Sequence, residues 1–276
     1  MSDEKSLKYN EPWILQRADP YVYRHTDGSY YFTASVPAYD GIVLRRAGTL
    51  AELSGAEEVM VWKKHESGPM SYHIWAPEIH YLFGKWYIYF AGGEAEDIWK
   101  IRPYVLECSG DDPLTDEWVE LGKMKRAAED EFSFEAFSLD ATVFENKGEY
   151  YYVWAEKVGV GKMISNLYIA KMESGNQLKT VQVLLTTPDY DWERKGFWVN
   201  EGPAVIHHDG KMFLTYSASE TGVDYCVGML SIDEDADILD PRLWKKERYP
   251  VLKTCEKLGI YGPGHNSFTV DEDGND

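Results

Sequence analysis

The chain has 276 residues, with 28 basic against 47 acidic side chains and a formal net charge of −19. Its 44% hydrophobic and 14% aromatic content supplies a sizeable core and excludes a disordered polyanion. The acidic balance argues against nucleic-acid and anionic-membrane partners, and no apolar run approaches the ~20 residues of a spanning helix.

The amino terminus, Met1-Ser2-Asp3-Glu4-Lys5, is polar and lacks the apolar segment of an export signal. The expected location is therefore cytoplasmic, or secreted if a leader was removed. Cys108, Cys226 and Cys255 are widely spaced and form no C-x-x-C pair. That spacing predicts buried free thiols rather than a disulfide framework or a zinc site.

In chain order, four segments repeat one pattern. Ala18-Asp19-Pro20-Tyr21-Val22-Tyr23 precedes Gly28, and Trp75-Ala76-Pro77-Glu78-Ile79-His80 precedes Gly84. Leu139-Asp140-Ala141-Thr142-Val143-Phe144 precedes Gly148, and Asn200-Glu201-Gly202-Pro203-Ala204-Val205 precedes Gly210. An apolar, mostly aromatic run follows each glycine, so each unit reads as a strand, a glycine turn and a second strand. Further strand-like runs follow, at Ile42 to Arg45 and Val59 to Trp62 in the first unit and at Tyr104 to Cys108 and Trp118 to Leu121 in the second. Helical periodicity is scarce outside Leu239 to Lys246. A fifth unit opens within Gly264-His265-Asn266-Ser267-Phe268-Thr269-Val270, ahead of Gly274.

Four strands per unit at this spacing predict an all-β, five-bladed β-propeller. One catalytic domain would span 1–276, with blades beginning near 18, 75, 138, 200 and 264. The fifth unit reaches only its first turn at Asp276, so that blade is expected to be truncated at the C-terminus.

The innermost strands of a propeller line its channel. Counting back seven or eight residues from the turn glycines aligns Pro20, Pro77, Ala141, Pro203 and Ser267, which puts Asp19, Ala76, Asp140, Gly202 and Asn266 at equivalent positions, with Glu201 and His265 one residue earlier. Asp19, Asp140, Glu201 and His265 should therefore meet at one mouth, where like charges shift one another's pKa values. Glu78 falls one step further along its strand and reads as a structural acid. Paired carboxylates are the apparatus of glycoside hydrolysis, set roughly 6.5–9.5 Å apart when a water must fit between acid and base. Phe32 and Trp75 are candidates to stack on sugar faces. Ser165 and Asn166, opening the third strand of blade 3, are candidates to reach the sugar. The acidic run Asp233-Glu234-Asp235-Ala236-Asp237 lacks the glycine and distal glutamate of an EF-hand and reads as a solvated loop.

Arg17-Ala18-Asp19-Pro20, Trp75-Ala76-Pro77-Glu78, Ser138-Leu139-Asp140-Ala141, Asn200-Glu201-Gly202-Pro203 and Gly262-Pro263-Gly264-His265-Asn266-Ser267 together resemble glycoside hydrolase family 43. The resemblance covers essentially the whole chain and is nearest to the α-L-arabinofuranosidase branch. It implies an inverting hydrolase in which Asp19 is the general base, Asp140 tunes and orients the acid, and Glu201 is the general acid. The expected substrates are terminal α-L-arabinofuranosyl residues of arabinan, arabino-oligosaccharides or arabinoxylan from plant cell walls. No cofactor is required, but His265 matches a family histidine that helps to hold a calcium ion or water cluster in the channel. Members usually supply an arginine from the fifth blade, beyond the end of this sequence.

The alternatives within the family are a β-xylosidase and an endo-arabinanase. Outside it stand a retaining fructan- or sucrose-cleaving enzyme, whose Asn-Asp-Pro-Asn motif this sequence lacks, and a non-catalytic carbohydrate-binding propeller.

Overall fold

A computed structural model describes residues 12–159 and 163–276. The regular elements are strands and short 3-10 turns. The first sheet runs β1 (Ala18–Arg24), β2 (Tyr30–Ser35), β3 (Gly41–Ala47) and β4 (Val59–Lys63) in chain order. The second repeats this with β5 (Tyr72–Leu82), β6 (Lys85–Glu94), β7 (Asp97–Cys108) and β8 (Val119–Lys123). The third unit contains β9 (Ser138–Asn146), β10 (Glu149–Val158), β11 (Ile164–Ser174), β12 (Gln177–Leu178) and β13 (Val183–Thr186). The fourth contains β14 (Trp198–His208), β15 (Lys211–Ala218), β16 (Cys226–Asp233) and β17 (Lys245–Lys246). A short parallel contact, Ile164 with Trp198 and Ser165 with Val199, joins the third and fourth units into one sheet. The Leu239 to Lys246 stretch forms one 3-10 turn and β17, not an α-helix.

Neighbouring units bury their aromatic runs against each other. Tyr31, Ile42, Trp86 and Ile88 pack between the first and second, and Tyr89, Tyr152 and Trp154 between the second and third. Val153, Leu167, Leu214 and Tyr216 pack between the third and fourth. Burying such side chains stabilises by about 1.5–3 kcal/mol each, which holds the sheets face to face. Cys108 and Cys226 are buried free thiols, and Cys255 is half-buried.

The repeat has a backbone cause. In every innermost strand two residues face one on its partner. Pairing skips Asp19-Pro20 opposite Ala34, Ala76-Pro77 opposite Phe90, Asp140-Ala141 opposite Trp154 and Gly202-Pro203 opposite Tyr216. The first residue of each bulge is left-handed, with φ of 53° at Asp19, 47° at Ala76, 51° at Asp140 and 52° at Gly202. Bulges re-aim side chains at sheet rims, and proline is tolerated there because no ladder bond needs its N–H. A left-handed non-glycine residue costs about 1–2 kcal/mol, so surrounding contacts must hold it.

The fifth unit corrects the expected register. Its left-handed residue is His265, at φ 47°, so His265-Asn266 matches Asp19-Pro20, and Asn266 is not the equivalent of Asp19. The reason lies in the turns. Units two to four close on two-residue turns, Phe83-Gly84, Lys147-Gly148 and Asp209-Gly210, with positive φ at both positions. The first and fifth use a longer turn held by the same two backbone bonds, His25 N to Ser29 O with Gly28 N to His25 O, and Asp271 N to Asn275 O with Gly274 N to Asp271 O.

Among the described residues this fifth segment forms no sheet of its own. It lies between the first and fourth units. Ser267 Oγ donates to Pro20 O at 2.8 Å and Tyr30 OH to Val270 O at 2.9 Å, while His265 N donates to Ser217 Oγ at 2.6 Å.

Candidate active site

The bulges deliver Asp19 and Asp140 to one open cavity of about 820 Å3, where Glu201, one residue before the fourth bulge, and His265 of the fifth segment join them. Nδ1 of His265 lies 3.1 Å from Asp19 Oδ1 and 3.6 Å from Asp140 Oδ2. Ser35 Oγ donates to Asp19 Oδ2 at 2.5 Å and also accepts from Ala76 N at 2.8 Å, tying the first bulge to the second. Gly202 N donates to Asp140 Oδ2 at 3.1 Å, tying the third to the fourth. Tyr225 OH donates to Glu201 Oε1 at 2.8 Å.

Burial pushes Asp140 well above the ordinary carboxylate range; Glu201 and Asp19 push it further, and His265 opposes them. Burial also raises Glu201, Asp19 adds to this, and the Tyr225 hydroxyl and His265 pull it back. Burial alone would lower His265, but Asp19, Asp140 and Glu201 override it and hold its pKa at about 9. The cluster therefore keeps protons near neutrality, including an imidazolium between two aspartates.

Glu201 has a brace behind it. Asn200 Nδ2 and Tyr216 OH each donate to Oε1 of the fully buried Glu193 at 2.9 Å, and Lys246 Nζ reaches the same oxygen at 2.8 Å. Glu193 Oε2 takes the backbone N–H groups of Asp189 and Tyr190. The residue preceding Glu201 is thus fixed by a buried, multiply bonded carboxylate.

Of the other expected contacts, Trp75 and Ser165 line the cavity. Two do not. Phe32 sits mid-strand opposite Val22, buried with Tyr30, Ala34, Leu50 and Leu53; Ser35 is the β2 residue that reaches the mouth. Asn166 follows Ser165 on a pleated strand, so it turns to the opposite side, buried and donating to Tyr168 OH. Glu78 is a buried structural acid bonded to His80 Nε2 at 2.9 Å.

Nδ1 of His265 stands between the Asp19 and Asp140 carboxylates, and no group of three or more His, Cys, Asp or Glu with metal-binding geometry exists among the described residues.

Tyr39, Phe137, Lys157, Phe197 and Tyr225 also line the cavity and escaped the sequence reading. They come from strand ends and connections outside the repeat. Tyr225, immediately before β16, carried the one usable signal, a polar aromatic at the mouth end of a strand.

Repeated antiparallel units thus gather three carboxylates and a histidine in one aromatic-rimmed cavity, the arrangement of a hydrolase site. Residues 9–276 match the glycosyl hydrolases family 43, and the chain belongs to that family. It is 50% identical over 269 residues to an extracellular exo-alpha-(1->5)-L-arabinofuranosidase of Streptomyces avermitilis, covering 98% of this chain and 55% of that protein. A protein of the same name from Streptomyces chartreusis is 48% identical, over 96% of this chain and 79% of its own length. The chain thus spans about half the length of the first of these relatives. A crystal structure of an alpha-L-arabinofuranosidase from Lactobacillus brevis superposes with a TM-score of 0.88 at 52% identity, over 97% of this chain and 83% of that one.

Proposed function

We propose that this chain is the catalytic unit of an inverting, exo-acting α-L-arabinofuranosidase, and that its five repeats are the blades of one β-propeller domain. The observation that carries the reading is the meeting of Asp19, Asp140 and Glu201 in one cavity, with the Glu201 carboxyl raised. A raised carboxyl keeps a proton to give to the leaving oxygen as the glycosidic bond breaks. Asp19, held by Ser35 and His265, takes a proton from the attacking water. Asp140, held well above the ordinary range by burial and by Glu201 and Asp19, orients the fourth strand through Gly202 N, and the like charge that raises Glu201 comes from Asp19. The names of the relatives support arabinofuranosyl substrates from plant cell walls.

No residue here requires a cofactor for these steps. Location follows substrate size: the two Streptomyces relatives are named extracellular, a setting that suits trimming of polymeric arabinan, whereas imported short oligosaccharides would be trimmed in the cytoplasm. Relative rates on polymer and on short chains separate the two.

The test is hydrolysis of an aryl α-L-arabinofuranoside, with proton NMR of the first-formed sugar. The expected result is turnover with inverted configuration and a roughly 10²–10⁴-fold loss in Glu201→Gln. Retained configuration, or unimpaired turnover by that variant, overturns the reading.

A further inference from the structure

One feature of the second unit runs outward from the cavity. Trp75 and Tyr39 line the cavity, with ring centroids 5.9 Å apart. His73, two residues before Trp75 on β5, lies 4.2 Å from the Trp75 ring at 34°. His73 also lies 5.1 Å from Trp99, again at 34°, and Trp99 itself lies 6.4 Å from Trp75. The three rings form one triangular cluster that reaches from the cavity-lining Trp75 to the exposed Trp99.

The outer end is built rather than incidental. Trp99 is 60% exposed, a large apolar area left in water. It stands at the start of β7, just after a hairpin that is pinned in place. Gly68 N donates to both Glu96 carboxylate oxygens at 3.2 and 3.0 Å, and Ala95 N to Ser71 Oγ at 2.7 Å. His73 has a left-handed backbone, φ 50°, and its buried Nε2 has no hydrogen-bond partner. Ring contacts, not hydrogen bonding, therefore hold this imidazole against the two tryptophans, and burial lowers its pKa and favours the neutral ring.

A cluster of π-faces with one exposed end takes a ligand with flat apolar faces. The two common candidates are nucleobases and sugars. The net charge of −19 repels a phosphate-bearing strand. A neutral sugar chain has no such penalty, and its C–H faces suit aromatic surfaces. In an exo-acting site the terminal sugar fills the cavity, so anything reaching outward lies on the leaving-group side.

We propose that Trp75, His73 and Trp99 form a leaving-group subsite that binds the second and third pentose units of a neutral arabino-oligosaccharide. This rests on the arabinofuranosidase reading above. It makes Trp99 a specificity-determining residue that senses chain length without touching the bond being broken.

The test compares kcat/KM for α-1,5-arabinotriose with that for an aryl arabinofuranoside, in the wild type, in Trp99→Ala and in Tyr249→Ala. Tyr249 is an equally exposed aromatic, 72% exposed, outside the cavity lining. Losing a stacking tryptophan is expected to lower the triose-to-aryl ratio about tenfold in Trp99→Ala and to leave it unmoved in Tyr249→Ala. An unchanged ratio in Trp99→Ala, with the wild type active, overturns the subsite alone. No turnover of either substrate by the wild type overturns the functional reading and the subsite with it.

Discussion

The first and second units make the same kink with opposite results. Asp19 and Ala76 are both left-handed, both lead a bulge of two residues against one, and both precede proline. One presents a carboxylate to the cavity, the other only a methyl group, and Ser35 Oγ touches the two together. The kink is therefore a property of the repeat, not of the functional side chain. Chemistry enters by substitution, as Asp, Asp and His in units one, three and five, with Ala and Gly in units two and four.

The sharpest way to break that comparison is to make unit one resemble unit two. Asp19→Ala should lower kcat on an aryl arabinofuranoside by about 10²–10⁴-fold, while the loss of stability stays confined to the His265 ion pair and the Ser35 bond because Ala76 already tolerates the same backbone. A large loss of stability instead would mean that the carboxylate itself holds the bulge.

Unit four differs in another way: its acid precedes the bulge and depends on the Glu193 brace. Glu193→Ala strips the partner from the largely buried Lys246 ammonium and should destabilise by about 3–5 kcal/mol. Urea unfolding measures it, and a change below the error of extrapolation would deny the brace its role.

Unit three sharpens the comparison through pH. Burial raises the Asp140 carboxyl, and the charges of Glu201 and Asp19 raise it further. Glu201→Gln removes one of those charges, so Asp140 should lose its proton at lower pH, as followed by carboxyl NMR shifts. An unmoved titration argues that burial alone sets the Asp140 pKa.

The gentlest test exchanges the silent residues. A Cβ at Gly202 would lie 3.1 Å from His265 Cγ and 3.3 Å from its Cα, at a φ of 52°. Gly202→Ala should cost about 1–2 kcal/mol from the left-handed backbone, with displacement of His265 in addition. Ala76→Gly, relieving the same φ, should change stability by less than about 1 kcal/mol. The unit-five histidine supplies a pH signature. Its folded pKa, about 9, lies above the ordinary 6.5, so its ion pairs stabilise fully below about pH 6.5 and lose their contribution as pH rises through about 9. Thermal melts across that range should show the decline, which His265→Asn should flatten.

The repeat was legible because glycine turns and aromatic runs report strand pairing directly. The meeting of Asp19, Asp140, Glu201 and His265 followed from register. The fifth unit misled by one residue because its turn copies the first unit's longer form, which a count from Gly274 alone does not reveal. Phe32 was misplaced because an aromatic run does not say which end of a strand reaches the cavity. Asn166 was misplaced because adjacent residues face opposite sides. His73, Trp99, Lys157 and Tyr225 stayed hidden because they come together only when different connections and strands meet in space.

The segment carrying His265 has one more consequence. It joins the first unit through contacts 247 positions apart in sequence, as in Ser267 to Pro20. Contacts of such separation carry a larger loop-closure cost than the hairpins within each unit. The imidazolium that holds Asp19 is thus supplied by a segment distant in sequence, and the four charged groups take their final arrangement only when units one, three, four and five are docked together.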